Sequence, residues 1–187
     1  MEKHRCGWCV GDPLYEAYHD EEWGVPITDD ETLFEFLILE TFQAGLSWIT
    51  ILKKRENFRK AFDHFDYCKI ANYDQRKMDQ LLQDAGIIRN RLKIKATVSN
   101  AQAFIKVQKE FGSFSKYIWA FVNGKPIKNT FKSYQDAPAK TPLSDAISKD
   151  LKKRGFKFVG STIIYAFMQA TGMVNDHEIA CFRYHEV

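Results

Sequence analysis

Residues 28–44 read TDDETLFEFLILETFQA, and their pattern is the clearest indication of the fold class. Thr28 and Glu31 form a Thr-x-x-Glu capping box, and the acids of the first turn favour the positive end of a helix. Apolar residues then recur at three- and four-residue steps from Leu33 to Ile38. The pattern predicts one amphipathic helix over the stretch.

The same periodicity continues along the chain. Ser47 can cap a second helix, and Gly86 is expected to end a third helix in the left-handed conformation. Further helices are predicted at 94–105, 113–121, 141–151 and 161–171. Residues 123–140 read as a long loop, and no pair of alternating segments predicts a sheet. The expected fold is all-α, a helical bundle that forms a single domain over residues 1–187.

The composition excludes membrane-spanning and disulfide-framework proteins. No run approaches the roughly 20 consecutive apolar residues of a membrane span, and the charged start of the chain leads into no apolar signal core. Four cysteines in 187 residues are too few for a disulfide framework, so packing, metal binding or redox chemistry is their expected use. We therefore expect a soluble cytoplasmic protein.

Positive charge is concentrated in one part of the chain. Residues 87–160 hold 16 Lys and Arg against 4 Asp and Glu, a net charge of +12, whereas the rest of the chain carries −9. Clustered cations attract polyanions, and nucleic acids are the commonest ones in cells. A solvated lysine-rich surface would give the same count, so the charge favours nucleic acid only together with other features.

Two cysteines and two histidines near the chain ends could bind one metal ion. Cys6 and His19 lie near the start, whereas His177 and Cys181 lie four residues apart near the end. If the last two lie on a helix, their side chains share one face. Two ligands from each end would complete a tetrahedral Cys2His2 site, which is typical of structural zinc. Unrelated core cysteines and surface histidines are the alternative.

Cys9 leaves this ligand set open. The spacing of Cys6 and Cys9 can bind zinc with Cys9 in the place of His19, or it can form a dithiol redox centre. A redox centre of the thioredoxin type needs the motif between a strand and a helix. Only five residues precede Cys6, too few for an interior strand, so zinc binding is favoured.

Glu40 is a carboxylate on the apolar side of the first predicted helix, seven residues beyond Leu33 and four beyond Phe36. An unpaired carboxylate is rarely buried, so Glu40 needs a partner, a ligand or a path to solvent. Large rings crowd the first part of the chain, namely Trp8, Tyr15, Tyr18, Trp23 and Trp48. Each ring alone fits a core position, but together with Glu40 they suggest a pocket for a planar base.

Two basic segments suggest contacts with phosphates. Residues 84–91, DAGIIRNR, form a glycine-containing turn between two predicted helices, where Gly86 and Arg89 would offer backbone N–H groups and charge. Lys153 belongs to a second cluster, KDLKKRGFK at 149–157. The helix dipole alone also favours cations at a helix end, which is the alternative explanation for that cluster.

Short motifs follow one another in the order that is typical of one known family. They are CGW at 6–8, DPLY at 12–15, YHD at 18–20, EWG at 22–24, LE at 39–40, QAGLSW at 43–48, LKKR at 52–55, DAGIIR at 84–89, KKRGFKFVG at 152–160 and NDH at 175–177. On these motifs the chain resembles the bacterial DNA-3-methyladenine glycosylase I family of helix-hairpin-helix glycosylases. The resemblance covers nearly the whole chain and is highly specific.

The resemblance implies a helix-hairpin-helix bundle whose N- and C-terminal segments are joined by one structural zinc ion. The matching zinc ligands are Cys6, His19, His177 and Cys181, which leaves Cys9 as a bystander. The implied activity is removal of 3-methyladenine from alkylated double-stranded DNA, which leaves an abasic site for base-excision repair. The implied protein is a monomer of the bacterial cytoplasm without a membrane contact or an obligate protein partner.

The resemblance also assigns roles in the pocket. Glu40 matches the carboxylate that recognises the methylated base and is the candidate catalytic residue. Trp8, Tyr15, Tyr18 and Trp48 match the rings that stack on and shape the site. Leu46, after Gly45, matches a side chain that fills the gap left by a flipped nucleotide. The family lacks the aspartate that usually follows the hairpin, so no general base is assigned.

The mechanism implied is simple, because N3 methylation makes adenine cationic and weakens its glycosidic bond. We expect an ionised or nearly ionised Glu40 to favour the cationic base while water attacks the sugar. Thr41 and Phe42 depart from the small or polar residues of the family, so the lining beside Glu40 is expected to differ. A zinc-stabilised DNA-binding module, with Glu40 incidental, and a dithiol oxidoreductase that needs Cys9 are the alternatives.

Overall fold

A computed structural model describes residues 3–187. Its α-helices are α1 (Pro13–Glu21), α2 (Asp30–Gln43), α3 (Trp48–Ala61), α4 (Tyr67–Ile70), α5 (Gln75–Gln83), α6 (Arg91–Phe111), α7 (Phe114–Ala120), α8 (Pro142–Lys153) and α9 (Ser161–Ala170). Short 3-10 helices cover Asp63–Phe65, Tyr134–Asp136 and Phe182–His185. The all-α prediction is confirmed, with the small exception of two strands.

The two strands join the segment that was predicted as a loop to the C-terminal part of the chain. Strand β1 (Ile127–Lys128) pairs in parallel with β2 (Val174–Asn175), with Ile127 opposite Val174. Two residues are too few for a recognisable alternating pattern, which is why the sequence gives no sign of the pair. The pairing fixes residues 127–136 beside the C-terminal segment.

Helix α2 is the centre of the core and packs against α3, α6, α7 and α9. Its side chains from Phe36 to Phe42 are all buried, including Glu40 and Thr41. The N-cap is Asp29, whose carboxylate accepts a hydrogen bond from Thr32 N at 2.8 Å. The predicted capping box on Thr28 is therefore wrong by one residue, because Asp29 offers the stronger acceptor to the same helix end.

Helices α5 and α6 form a helical hairpin around residues 84–90. The prediction that Gly86 adopts the left-handed conformation is wrong, since Gly86 is not among the residues with positive φ in residues 3–187. The chain makes a close approach there instead, because an added Cβ would lie 3.0 Å from Oδ1 of Asp84 and 3.2 Å from the Cβ of Asn57 on α3. The hairpin is thus packed directly against α3.

None of the helices that the structure describes is long and apolar enough to cross a membrane.

Candidate functional site

The aromatic residues that the sequence singled out line one cavity with Glu40. This cavity has a volume of about 200 Å³ and lies between α1, α2 and α9. Its lining includes Trp8, Tyr15, Tyr18, Trp23, Glu40 and Trp48. The structure therefore brings these residues together around one cavity.

Glu40 is the feature of the cavity that packing alone does not explain. Its side chain is only 2% exposed, and Oε2 has no hydrogen-bond partner among residues 3–187. Burial raises the pKa of the Glu40 carboxyl to about 8. An unpartnered carboxyl in a lined cavity is costly to the fold, and a ligand that pairs with it would remove that cost.

Trp48 contributes a second unused polar atom to the same cavity. Its indole Nε1 is buried without a partner in the described part of the chain, and its ring centroid lies 5.6 Å from that of Tyr18. The ring of Phe36 also stacks on Trp48, with the two centroids 6.4 Å apart. The cavity thus offers one N–H donor and one carboxyl between aromatic surfaces, which suits the polar edge of a planar ligand.

Trp8 holds the remaining rings together. Its centroid lies 4.7 Å from Tyr15, 5.0 Å from Trp23 and 6.4 Å from Tyr18, each in an edge-to-face arrangement. Such pairs add to the burial energy and fix ring orientations. Because Trp8 lies in an irregular N-terminal segment, these ring contacts keep that segment over the cavity.

Six further residues line the cavity that the sequence did not single out: Gln43, Tyr134, Ala137, Ala166, Gln169 and Asp176. Gln43 and Asp176 lie in motifs that were quoted for other reasons, so their position beside Glu40 and His177 was a usable signal. Tyr134 carried none, because its place depends on long-range contacts. Its backbone N–H donates to Glu178 Oε1 at 3.0 Å, and Gly7 N donates to the same oxygen at 3.1 Å.

Asp176 is a second carboxylate in the cavity, but its oxygens are fully used. Oδ2 accepts hydrogen bonds from Tyr165 Oη at 2.6 Å and Gln169 Nε2 at 2.9 Å, and Oδ1 accepts one from Asn129 Nδ2 at 2.7 Å. These bonds fix it as part of the wall. Glu40, with an unused oxygen, is therefore the carboxyl that is free to meet a ligand.

Thr41 and Phe42, the residues that depart from the family beside Glu40, do not themselves line the cavity. The hydroxyl of Thr41 donates to Ile38 O at 2.7 Å, and Phe42 packs edge-to-face on Phe58 at 4.8 Å. Thr41 is buried, and Phe42 belongs to the hydrophobic core. The expectation that these two residues change the lining beside Glu40 stays a prediction.

Three of the four candidate metal ligands meet next to this cavity. The side-chain ligand atoms of Cys6, His19 and Cys181 all lie within 4.8 Å of one another and are buried. His19 Nε2 lies 3.4 Å from Cys181 Sγ, and its Nδ1 lies 2.9 Å from Asp20 Oδ1. A carboxylate on Nδ1 directs Nε2 towards the sulfurs, as in many metal-binding histidines.

His177, the fourth candidate, lies beside this group with its ring centroid 5.0 Å from that of His19. Its Nδ1 lies 3.1 Å from Asn175 Oδ1, while its buried Nε2 has no partner within residues 3–187. Burial lowers the pKa of the imidazole to about 3, which keeps Nε2 unprotonated if Nδ1 carries the hydrogen. An unpartnered imidazole nitrogen next to this Cys/His group fits a metal ligand.

The helix predicted to place His177 and Cys181 on one face is wrong. Residues 177–181 form a turn rather than a helix, and Cys181 N donates to Glu178 O at 2.8 Å. The turn brings both side chains towards Cys6 and His19, so the pairing of the two ends was expected correctly from a helical geometry that does not exist.

Cys9 lies next to the group, with its thiol close to the ring of His19. Its buried thiol donates to Cys6 O at 3.2 Å, and Cys9 is not part of the group of three that lies within 4.8 Å. The contact closes the turn that carries Cys6. The bystander role that the resemblance implies for Cys9 stays a prediction.

The candidate DNA contacts lie on loops and a helix end. Gly45 has φ +80 in the turn between α2 and α3, and Leu46, which follows it, is 39% exposed. Gly86 and Arg89 lie in the hairpin, where Lys54 Nζ of α3 donates to Gly86 O at 3.4 Å. Lys153 is exposed at the last residue of α8. The turn after α2 and the hairpin therefore both lie next to α3, whereas Lys153 lies on a separate helix, α8.

The fold and the cavity define a class: a helical protein that can enclose a planar ligand beside a buried carboxyl. A family model described as methyladenine glycosylase matches residues 8–184. DNA-3-methyladenine glycosylase 1 of Escherichia coli strain K12 is 53% identical over 180 residues, 96% of each chain. The chain belongs to the methyladenine glycosylase family.

Solved structures agree with this assignment. A crystal structure of 3-methyladenine DNA glycosylase I has a TM-score of 0.93 with 54% sequence identity, and the match covers 96% of this chain and 98% of that one. A variant of 3-methyladenine DNA glycosylase I in complex with 3-methyladenine has a TM-score of 0.92 with 38% identity, over 95% of this chain and 96% of that one.

Proposed function

We propose that this protein removes 3-methyladenine from alkylated DNA by hydrolysing its N-glycosidic bond. The observation that carries the proposal is the unpartnered carboxyl of Glu40 inside an aromatic cavity. Such a cavity suits a flat, positively charged base, which gains stacking on the rings and a counter-charge from the carboxyl. The complex of a relative with 3-methyladenine supports the same ligand here.

The reaction needs little acid or base catalysis. The methylated adenine is already cationic, so when the bond between N9 and the sugar breaks, the electron pair goes to the base, which leaves neutral. Positive charge then develops on the sugar, water attacks its C1′, and that water loses a proton to solvent. An enzyme that holds the extruded base in place and stabilises the developing charge supplies the required help.

The charge state of Glu40 depends on the ligand in this proposal. With a pKa of about 8, the carboxyl of the empty cavity is mostly neutral at pH 7, so the expected ionised group applies to the cavity with the base bound. A cationic base beside it would favour ionisation and restore a more ordinary pKa. Glu40 would thus prefer the methylated, cationic base over neutral adenine.

We propose one zinc ion as a structural cofactor held by Cys6, His19, His177 and Cys181. Two thiols and two imidazoles form a donor set that zinc favours, and the unpartnered Nε2 of His177 supplies the fourth position. When bound, zinc supplies a cross-link between chain ends and takes no part in bond breaking. Asp20 and Asn175 orient the two histidines from behind.

We further propose that the hairpin and the turn after α2 contact the duplex as a helix-hairpin-helix unit. The exposed side chain of Leu46 would enter the gap left by the extruded nucleotide. Gly86 and Arg89 would contact phosphates, and Lys153 would add charge on a second segment. The cysteines, which form no disulfides, support the proposed cytoplasmic location, where the protein would act as a monomer.

The decisive test is incubation of the purified protein with duplex DNA that has been treated with a methylating agent. Release of free 3-methyladenine, identified by chromatography, together with abasic sites in the DNA would support the proposal. A protein that binds the DNA but releases no base would instead be a DNA-binding module without catalysis.

A further inference from the structure

Lys93 is a buried cation that the proposed reaction does not use. It lies in the first turn of α6, directly after the hairpin, and is only 6% exposed. A lysine at a helix N-terminus is disfavoured by the helix dipole and rarely buried without a partner. Its burial therefore requires a specific partner, and the partner lies on a different helix.

The ammonium group of Lys93 caps the C-terminal end of α2. Nζ donates to Phe42 O at 3.0 Å and to Ala44 O at 3.2 Å. The last turn of α2, which lies wholly within the described residues, has no basic residue of its own. The carbonyl between these two belongs to Gln43, and it accepts from Leu46 N at 2.6 Å. The final carbonyls of α2 are thus satisfied from the turn and from α6.

This contact joins three parts of the proposed DNA-binding machinery. Helix α2 carries Glu40, the turn that follows it carries Leu46, and α6 begins at the hairpin. A second set of contacts fixes the other side of the hairpin, where Lys54 Nζ and Asn57 Nδ2 of α3 donate to Gly86 O at 3.4 and 3.3 Å. The turn that bears Leu46 lies between α2 and α3, so it is held at both ends relative to the hairpin.

We infer that Lys93 is a positioning residue, which sets the distance between the hairpin and Leu46 so that phosphate contact and insertion of the side chain occur together. The inference rests on the proposed function, because it needs Leu46 to enter the duplex. Lys93 itself would contact neither the base nor the phosphates. Its loss should therefore leave the cavity intact and disturb only the coupling between DNA binding and base extrusion.

The test compares Lys93→Met with Lys106→Met, which removes the same charge from an exposed position of the same helix. Single-turnover release of 3-methyladenine from duplex DNA should fall about tenfold in Lys93→Met, the change that loss of one charged hydrogen bond of ~1.4 kcal/mol gives. Binding of free 3-methyladenine should stay within about twofold of wild type in both variants. Equal loss of free-base binding and excision would overturn the inference.

Two further readouts distinguish positioning from direct contact. The salt dependence of binding to undamaged DNA should be unchanged in Lys93→Met, because no phosphate contact is lost. The double variant with Leu46→Ala should excise no more slowly than Leu46→Ala alone, since Lys93 acts through Leu46. A shallower salt slope, or effects that multiply in the double variant, would contradict the inference.

If Lys93→Met does not fold, two milder variants carry the test. Lys93→Arg keeps the positive charge and the N–H donors, whereas Lys93→Gln keeps only a shorter, neutral donor. The rate of excision should therefore be highest in the wild type, lower in Lys93→Arg and lowest in Lys93→Gln. Wild-type excision by Lys93→Gln would overturn the inference. Failure of the wild-type protein to release any 3-methyladenine would count against the proposed function instead, so the two failures are distinguishable.

Discussion

Tyr18 and His19 are neighbours on α1, yet their side chains belong to two different sites. The ring of Tyr18 lines the cavity 5.6 Å from Trp48, whereas His19 Nε2 lies 3.4 Å from Cys181 Sγ in the Cys/His group. One turn of helix therefore joins the proposed zinc site to the proposed base pocket. By linking the two ends of the chain, the proposed zinc ion should also keep Trp8, Tyr15 and Tyr18 over the cavity.

Removal of zinc should weaken stability and base binding together. Removing the metal with a chelator, or changing Cys181 to Ser, should lower the melting temperature by roughly 10 °C. In a domain of this size, each kcal/mol lost from the free energy of unfolding lowers Tm by ~2–4 °C. Thermal melting, metal analysis and titration with free 3-methyladenine measure the three effects. Cys9→Ser is the matched control and should keep one zinc per chain. A stripped protein that keeps its full affinity for the base would contradict the coupling.

Gly24→Ala should destabilise the protein through His177. Gly24 has φ +80, and an added Cβ would lie 2.7 Å from Cε1 of His177. The left-handed conformation alone costs about 1–2 kcal/mol, and displacement of the imidazole should raise the total to ~2–4 kcal/mol. Gly11→Ala separates the two effects, because Gly11 has φ +100 and no described atom within 4 Å of an added Cβ. Equal losses in free energy of unfolding would show that contact with His177 is unimportant.

Glu40→Gln should stabilise the protein at high pH. A pKa raised by burial from 4.5 to about 8 means that the folded state binds more protons than the unfolded state between these values. The stability of the wild type therefore falls across this window relative to that of the variant, by on the order of 3–5 kcal/mol above pH 8. Below pH 4.5 both side chains are neutral in both states and the difference should disappear. Denaturant unfolding from pH 5 to pH 9 measures the difference in free energy of unfolding between the variant and the wild type. A difference that does not change with pH would disprove the burial of an unpaired carboxyl.

Leu46→Ala should slow excision from duplex DNA without affecting the pocket. A smaller side chain leaves the gap in the base stack unfilled, and a loss of ~1–2 kcal/mol corresponds to a rate reduced by roughly 5- to 30-fold. Leu14→Ala is the control, since Leu14 is 43% exposed against 39% for Leu46 but lies on α1. Single-turnover excision and titration with free 3-methyladenine measure the two properties. A loss of free-base affinity in Leu46→Ala would place Leu46 in the pocket wall instead.

Local periodicity was enough to predict three features of the protein: its helical class, the long helix α2 and the inward position of Glu40. Helix α1 was not predicted, although Asp12 caps it and Pro13 occupies its first position, a combination that favours a helix start. Its short apolar face gave too weak a pattern. The left-handed conformation expected at Gly86 was also wrong, since the chain makes a close approach to Asn57 there instead.

The parts of the site that escaped prediction depend on contacts between distant segments. Tyr134 reaches the cavity because β1 pairs with β2 and because Glu178 binds its backbone N–H. Lys93 was one of 16 cations in a basic segment, and only the structure places its ammonium group on the end of α2. Sequence patterns record which face a side chain occupies, whereas these roles depend on which segment lies opposite.

The most direct test of the proposed role of Glu40 is excision of 3-methyladenine by Glu40→Gln, measured beside its binding to undamaged duplex DNA. Glu31→Gln, an exposed change on the same helix, is the control. Loss of the carboxylate that favours the cationic base should reduce excision on the order of 10²-fold, comparable to removal of one stabilising group from an active site. Binding to undamaged DNA should stay within about twofold, because it depends on phosphate contacts. Unchanged excision, or equal losses of excision and binding, would contradict the account.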